Sequence, residues 1–106
     1  MNSAVTRVLA DLRCALEELY GERLVRIVLY GSQARHDADP GSDIDVMIVL
    51  KGPVDAGREI ARTGETTAAI SLRHDLVVSC VFVSEMRYLE EQSPLLINVR
   101  REGVPA

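Results

Sequence analysis

Three observations predict an α/β (α+β) fold in which a small mixed β-sheet is flanked by helices. Apolar residues recur at helical spacing near the start of the chain and again in its second half. Between the helical stretches lie three apolar runs, 25–30, 43–50 and 75–83, whose β-branched content and length suit buried strands. Turn residues separate the segments at Gly21, Gly31, Asp39-Pro40-Gly41 and Gly52-Pro53. A chain of 106 residues fits one core, so 1–106 is read as a single domain with the three strands at its centre.

Taken in order, Asn2 and Ser3 offer caps for a first helix running to about residue 20, and Gly21 suits its stop. Its core face is Val5, Val8, Leu9, Leu12, Ala15, Leu16 and Leu19. The strand 25–30 ends at Gly31, where glycine lets the backbone take a positive φ or approach a ligand closely. Ser32 adds a hydroxyl there, and a short helix opening at 32–35 would aim free N–H groups at an anion, typically phosphate. Arg35 can add a charged clamp to that anion.

After the turn at 39–41, alternation along strand 43–50 puts Asp43 and Asp45 on one face and Ile44, Val46 and Ile48 on the other. Two like charges so close are tolerated chiefly when a divalent cation neutralises them, and oxygen ligands favour magnesium or manganese. Asp45 is the harder of the two to explain structurally. An ionised group inside an apolar strand costs several kcal/mol unless it is paired or metal-bound.

Lys51-Gly52-Pro53 closes the strand, and 55–72 fits a weakly amphipathic helix through Ile60, Gly64, Thr67, Ala68, Ser71 and Leu72. The third strand, 75–83, opens on Asp75, a carboxylate that either joins the site or simply marks the strand entrance. Ser84 caps a helix from 85 to near 92. Ser93-Pro94 starts a last one, with Leu95, Leu96 and Val99 on its apolar side and Gly103 at its end.

The composition is 47% hydrophobic and 26% charged, ordinary for a globular protein. A net charge of −4 argues against a broad nucleic-acid surface. Cys14 and Cys80 lack metal-ligand spacing and read as buried free thiols. No signal peptide and no apolar run long enough for a membrane is present, so a cytoplasmic location with no membrane partner is expected.

The stretch Gly31-Ser32-Gln33-Ala34-Arg35, followed by Ser42-Asp43-Ile44-Asp45 and flanked by two apolar strands, resembles the signature of the DNA polymerase beta-like nucleotidyltransferase superfamily. The Gly-Ser-x-Ala-Arg form is most similar to its minimal nucleotidyltransferases, antitoxins often paired with HEPN-type toxins. The segment 93–104 resembles their tail, so the likeness covers essentially the whole chain.

The resemblance implies transfer of a nucleoside monophosphate, AMP from ATP, to a hydroxyl of a partner protein. In that scheme Gly31 and Ser32 hold the terminal phosphates with Arg35 beside them. Asp43 and Asp45 bridge two Mg²⁺ ions, with Mn²⁺ as a substitute, and Asp75 completes the cluster and receives the acceptor's proton. It also implies a hetero-oligomer with a HEPN-type toxin. The competing expectation is a non-catalytic nucleotide-binding module that inhibits its partner by contact. One departure is His36, which stands where the minimal family often has glycine.

Overall fold

The computed structural model describes residues 3–36, 38–39 and 41–106; Asn2, read as a cap, and Pro40 of the expected turn lie outside the described residues. The elements in chain order are helix α1 (Ser3–Tyr20), a 3₁₀ turn (Gly21–Arg23), strand β1 (Leu24–Tyr30), the one-turn helix α2 (Ser32–Arg35), strand β2 (Ile44–Leu50) and helix α3 (Ala56–His74). Strand β3 (Val78–Ser84), helices α4 (Glu85–Glu90) and α5 (Pro94–Glu102) and the two-residue strand β4 (Val104–Pro105) follow.

The sheet has the order β3-β2-β1-β4, with β2 antiparallel to β1 and parallel to β3, and β4 antiparallel to β1. It is the expected mixed sheet with one strand more than the sequence shows. Two residues carry no alternation to read, and β4 is held by pairing: Leu29 stands opposite Val104, and the Ala106 N–H donates to the Ile27 carbonyl at 2.9 Å.

Alternation divides the core in two. Ile27, Leu29, Ile44, Val46, Ile48, Leu50 and Phe82 face the apolar side of α1 and Ile70 of α3, while Val28, Met47, Val49 and Val83 face Tyr88, Leu96 and Val99 of α4 and α5. Strand β2 is therefore buried on both faces except at its first turn of chain, where Asp45 stands. Each fully buried aliphatic side chain contributes about 2 kcal/mol.

Several sequence expectations are corrected. On α1, Leu19 is exposed and Tyr20 buried in its place. On α3, Ile60 and Leu72 face solvent, and Glu59, Thr63 and Ile70 point inward. The cause is Glu59, whose Oε1 accepts from the Tyr20 hydroxyl at 2.7 Å while the guanidinium groups of Arg23 and Arg62 stand 3.4 Å from its carboxylate. That anchor fixes the rotation of the helix. Cys14 is exposed rather than buried, whereas Cys80 is half-buried and burial pushes its thiol up to about 11.

The third strand begins at Val78, not at 75. Asp75 ends α3 instead, in the left-handed conformation at φ 53°, as the Leu76 N–H closes onto the Ser71 carbonyl and the Val78 N–H donates to the Ser71 hydroxyl, both at 3.1 Å. Among the described residues no helix is long and apolar enough to cross a membrane.

Candidate functional site

The site lies at the end of the two interior strands, where β1 runs out and β2 begins, rather than at a sheet edge. Gly31 makes the turn with φ 74° and ψ −157°, a region essentially reserved for glycine. A Cβ there would also lie 2.6 Å from Oδ2 of Asp45, so the turn passes directly against that carboxylate.

The Gly31 carbonyl accepts from the amides of Ala34 at 3.1 Å and Arg35 at 3.2 Å, closing α2, and buried Ala34 pins the helix to the core. The amides of Ser32 and Gln33 precede the helix's own hydrogen-bond ladder. Gln33 was not singled out by the sequence, yet its side chain is buried and its Nε2 donates to the Ser42 carbonyl at 3.2 Å. It ties the turn to the residue before Asp43. Nothing local signals this, because the partner lies nine residues away.

His36 ends α2 at φ 61° and ψ 25°, in the left-handed region. Glycine suits such a position best, and histidine is among the few other residues that tolerate it.

Asp45 is half-buried opposite Tyr30 in the β1–β2 register, and Asp43 is exposed just before the strand. Burial, and then the charge of Asp43, push the Asp45 carboxyl above its ordinary value. Burial and the nearby Asp45 likewise push up the phenol of Tyr30, which stands opposite Asp45 in the strand pair. A half-buried carboxylate with a second one beside it, the two offering oxygen donors alone, fits a divalent cation such as Mg²⁺.

One residue named from the sequence is not gathered with this pair. Asp75, read as its third ligand, is exposed at the cap of α3 and lines a hollow with Gly41, Ala68, Ser71 and Leu72. The parallel register sets Ser79 beside Asp45, and the Ile44 N–H donates to the Val77 carbonyl at 2.8 Å. Among the described residues no group of three His, Cys, Asp or Glu side chains is placed to hold a metal. An aspartate suits a strand entrance and a left-handed helix cap equally well, and here the second use prevails. Arg35, on the rim, has Nη1 3.6 Å from Oε2 of Glu102, with both side chains partly exposed.

Comparison with known proteins follows the same stretch. The pattern of the nucleotidyltransferase domain family matches residues 9–103. A Methanocaldococcus jannaschii protein carrying the name protein adenylyltransferase is 27% identical over 75 residues, which span 71% of this chain and 75% of that one. Among solved structures, a chain of a toxin–antitoxin complex with AMP-PNP superposes with a TM-score of 0.60 at 24% identity, covering 91% of this chain and 69% of that chain. A Sulfolobus solfataricus protein described as a nucleotidyltransferase superposes with a TM-score of 0.56 at 21% identity, covering 99% of this chain and 86% of the other. These two likenesses show a shared fold.

Proposed function

Because this chain belongs to the nucleotidyltransferase domain family, we propose that it is a protein adenylyltransferase: it moves AMP from ATP to a hydroxyl of a partner protein. The observation that carries this reading is the contact of the Gly31 turn with Asp45, which sets an anion-binding backbone against a carboxylate pair. A triphosphate and a divalent cation together satisfy both halves. The name of the Methanocaldococcus relative and the AMP-PNP complex of a structural neighbour support adenine nucleotide as the donor.

In the reaction, the acceptor hydroxyl loses its proton and its oxygen bonds to the α-phosphorus. The bond from that phosphorus to the bridging oxygen breaks, and pyrophosphate leaves with the electron pair. The amides at Gly31 and Ser32 hold the terminal phosphates as a fixed electrostatic clamp, and Arg35 reaches them by letting go of Glu102. Asp43 and Asp45 hold Mg²⁺, or Mn²⁺ in its place, and when bound that ion supplies the positive charge that offsets the triphosphate and its leaving group.

The partner is a HEPN-type toxin and the working form a hetero-oligomer in the cytoplasm, with this chain as the antitoxin. Supporting this are the resemblance of the 31–45 stretch to such antitoxins and the fold shared with a toxin–antitoxin chain. Intact-mass spectrometry of the chain purified with the product of its neighbouring gene, after incubation with Mg·ATP, tests it. Added mass of one or more AMP units on the partner, absent with Asp45→Asn, is expected. An unmodified partner in an intact complex would replace the transferase with a contact inhibitor, a second reading favoured by the want, among the described residues, of a third metal-ligating side chain grouped with the pair.

A further inference from the structure

Resting on the nucleotide site proposed above, we infer that this chain's own residues hold a single divalent cation, the one that accompanies the triphosphate, and that Ser79 leaves the acceptor's half of the site to be completed by the acceptor protein.

The register carries the inference. Strand β3 runs parallel to β2 with Val78 opposite Ile44 and Ser79 opposite Asp45. Side chains of parallel neighbours in register share a face, so the position beside the Asp45 carboxylate belongs to Ser79. The equivalent neighbour of Asp43 is Val77, which is 54% exposed, and its place is fixed by the hydrogen bond from the Ile44 amide. A neutral hydroxyl and an isopropyl group thus flank the pair where a further carboxylate would have to stand.

Asp75 cannot slide into that place at low cost. Its left-handed conformation closes α3, and moving it onto the strand would unmake the Leu76 to Ser71 and Val78 to Ser71 hydrogen bonds that follow from it. Two carboxylates neutralise the charge of one Mg²⁺. A second cation bound by the same two groups would leave excess positive charge on the protein side, and Ser79 supplies no charge to offset it. Among the described residues the acceptor hydroxyl therefore meets no carboxylate beyond the metal-holding pair to take its proton, and the proton passes to a group that arrives with the acceptor.

Equilibrium dialysis of the full chain against Mn²⁺ and AMP-PNP, counting metal and adenine bound per chain, tests this. Wild type is expected to bind one Mn²⁺ per bound nucleotide, Ser79→Ala the same, and Ser79→Asp two. Ser79→Asp should also melt lower than wild type without metal and recover when Mn²⁺ and AMP-PNP are added. Two Mn²⁺ per nucleotide in wild type would overturn the inference, as would a folded Ser79→Asp that stays at one. Absence of bound nucleotide in wild type would instead overturn the nucleotide site on which it rests. Should Ser79→Asp fail to fold, the ratio in wild type and Ser79→Ala still decides.

Discussion

Glu59 and Asp45 stand at opposite ends of the β1–β2 pair and are treated in opposite ways. Glu59 is the more deeply buried, at 2% exposure, and burial alone would raise its carboxyl. The Tyr20 hydroxyl, Arg62 and Arg23 outweigh that and hold it below the ordinary carboxylate range. Asp45 is less buried, yet its carboxyl is pushed up, because burial is joined by the like charge of Asp43. Depth of burial does not separate a structural acid from one kept for a ligand; the partners the fold supplies do. At the Glu59 end the chain brings its own cations, and at the Asp45 end it brings a second anion.

The largest effect that distinguishes the two ends is expected at Glu59. Glu59→Gln removes the buried carboxylate charge shared by Tyr20, Arg23 and Arg62 and weakens the tie between the 3₁₀ turn and α3, costing about 3 kcal/mol in denaturant unfolding. The sign of its pH dependence follows from the lowered carboxyl: its stabilising contribution is present above the ordinary value of 4.5 and is lost as pH falls through the folded value. The acid limb of a stability–pH curve should therefore flatten in Glu59→Gln. An unchanged acid limb would remove the basis for the comparison.

Gly31→Ala comes next. It forces an alanine into a glycine-only backbone region and drives its Cβ toward the Asp45 carboxylate, for a loss of about 2 kcal/mol. Calorimetry of this variant sharpens the contrast, since the same substitution at Gly64 of α3 meets open space at ordinary φ and should stabilise the helix. A smaller gain is expected from His36→Gly, which relieves the left-handed conformation by about 1 kcal/mol in chemical denaturation.

The smallest stability effect is at Asp45, and its sign is opposite to that at Glu59. A raised carboxyl contributes stability that is present below the ordinary value of 3.8 and lost as pH rises through the folded value. At neutral pH without metal, Asp45→Asn should therefore melt above wild type. The same variant should lower nucleotide transfer by about 100-fold or more, as removal of a transition-state charge partner does. A metal-free melting temperature below wild type would show that Asp45 is anchored like Glu59.

The parts of this fold legible in the sequence are those written as local pattern. Alternation at Ile44, Val46 and Ile48 marks the inward face of β2. Ser84 and Ser93 cap their helices as read, each accepting from the amide three residues on. What escaped reading depends on contacts between distant segments. The rotation of α3 was hidden because Glu59 looks like a surface residue until Tyr20 and Arg23 are placed beside it. Arg35 meets Glu102 from far along the chain, and Gln33 bonds to Ser42, nine residues on. Asp75 was misplaced because the residues between it and Val78 are apolar in either use, and only the hydrogen bonds to Ser71 show that the strand has not yet begun.

The most direct test is the melting temperature of wild type and Asp45→Asn, each measured with AMP-PNP alone and with AMP-PNP plus Mg²⁺. A carboxylate pair kept for a nucleotide-bound cation gives a Mg²⁺-dependent rise in wild type that is lost in Asp45→Asn. Equal rises in both proteins, or none in wild type, would contradict it.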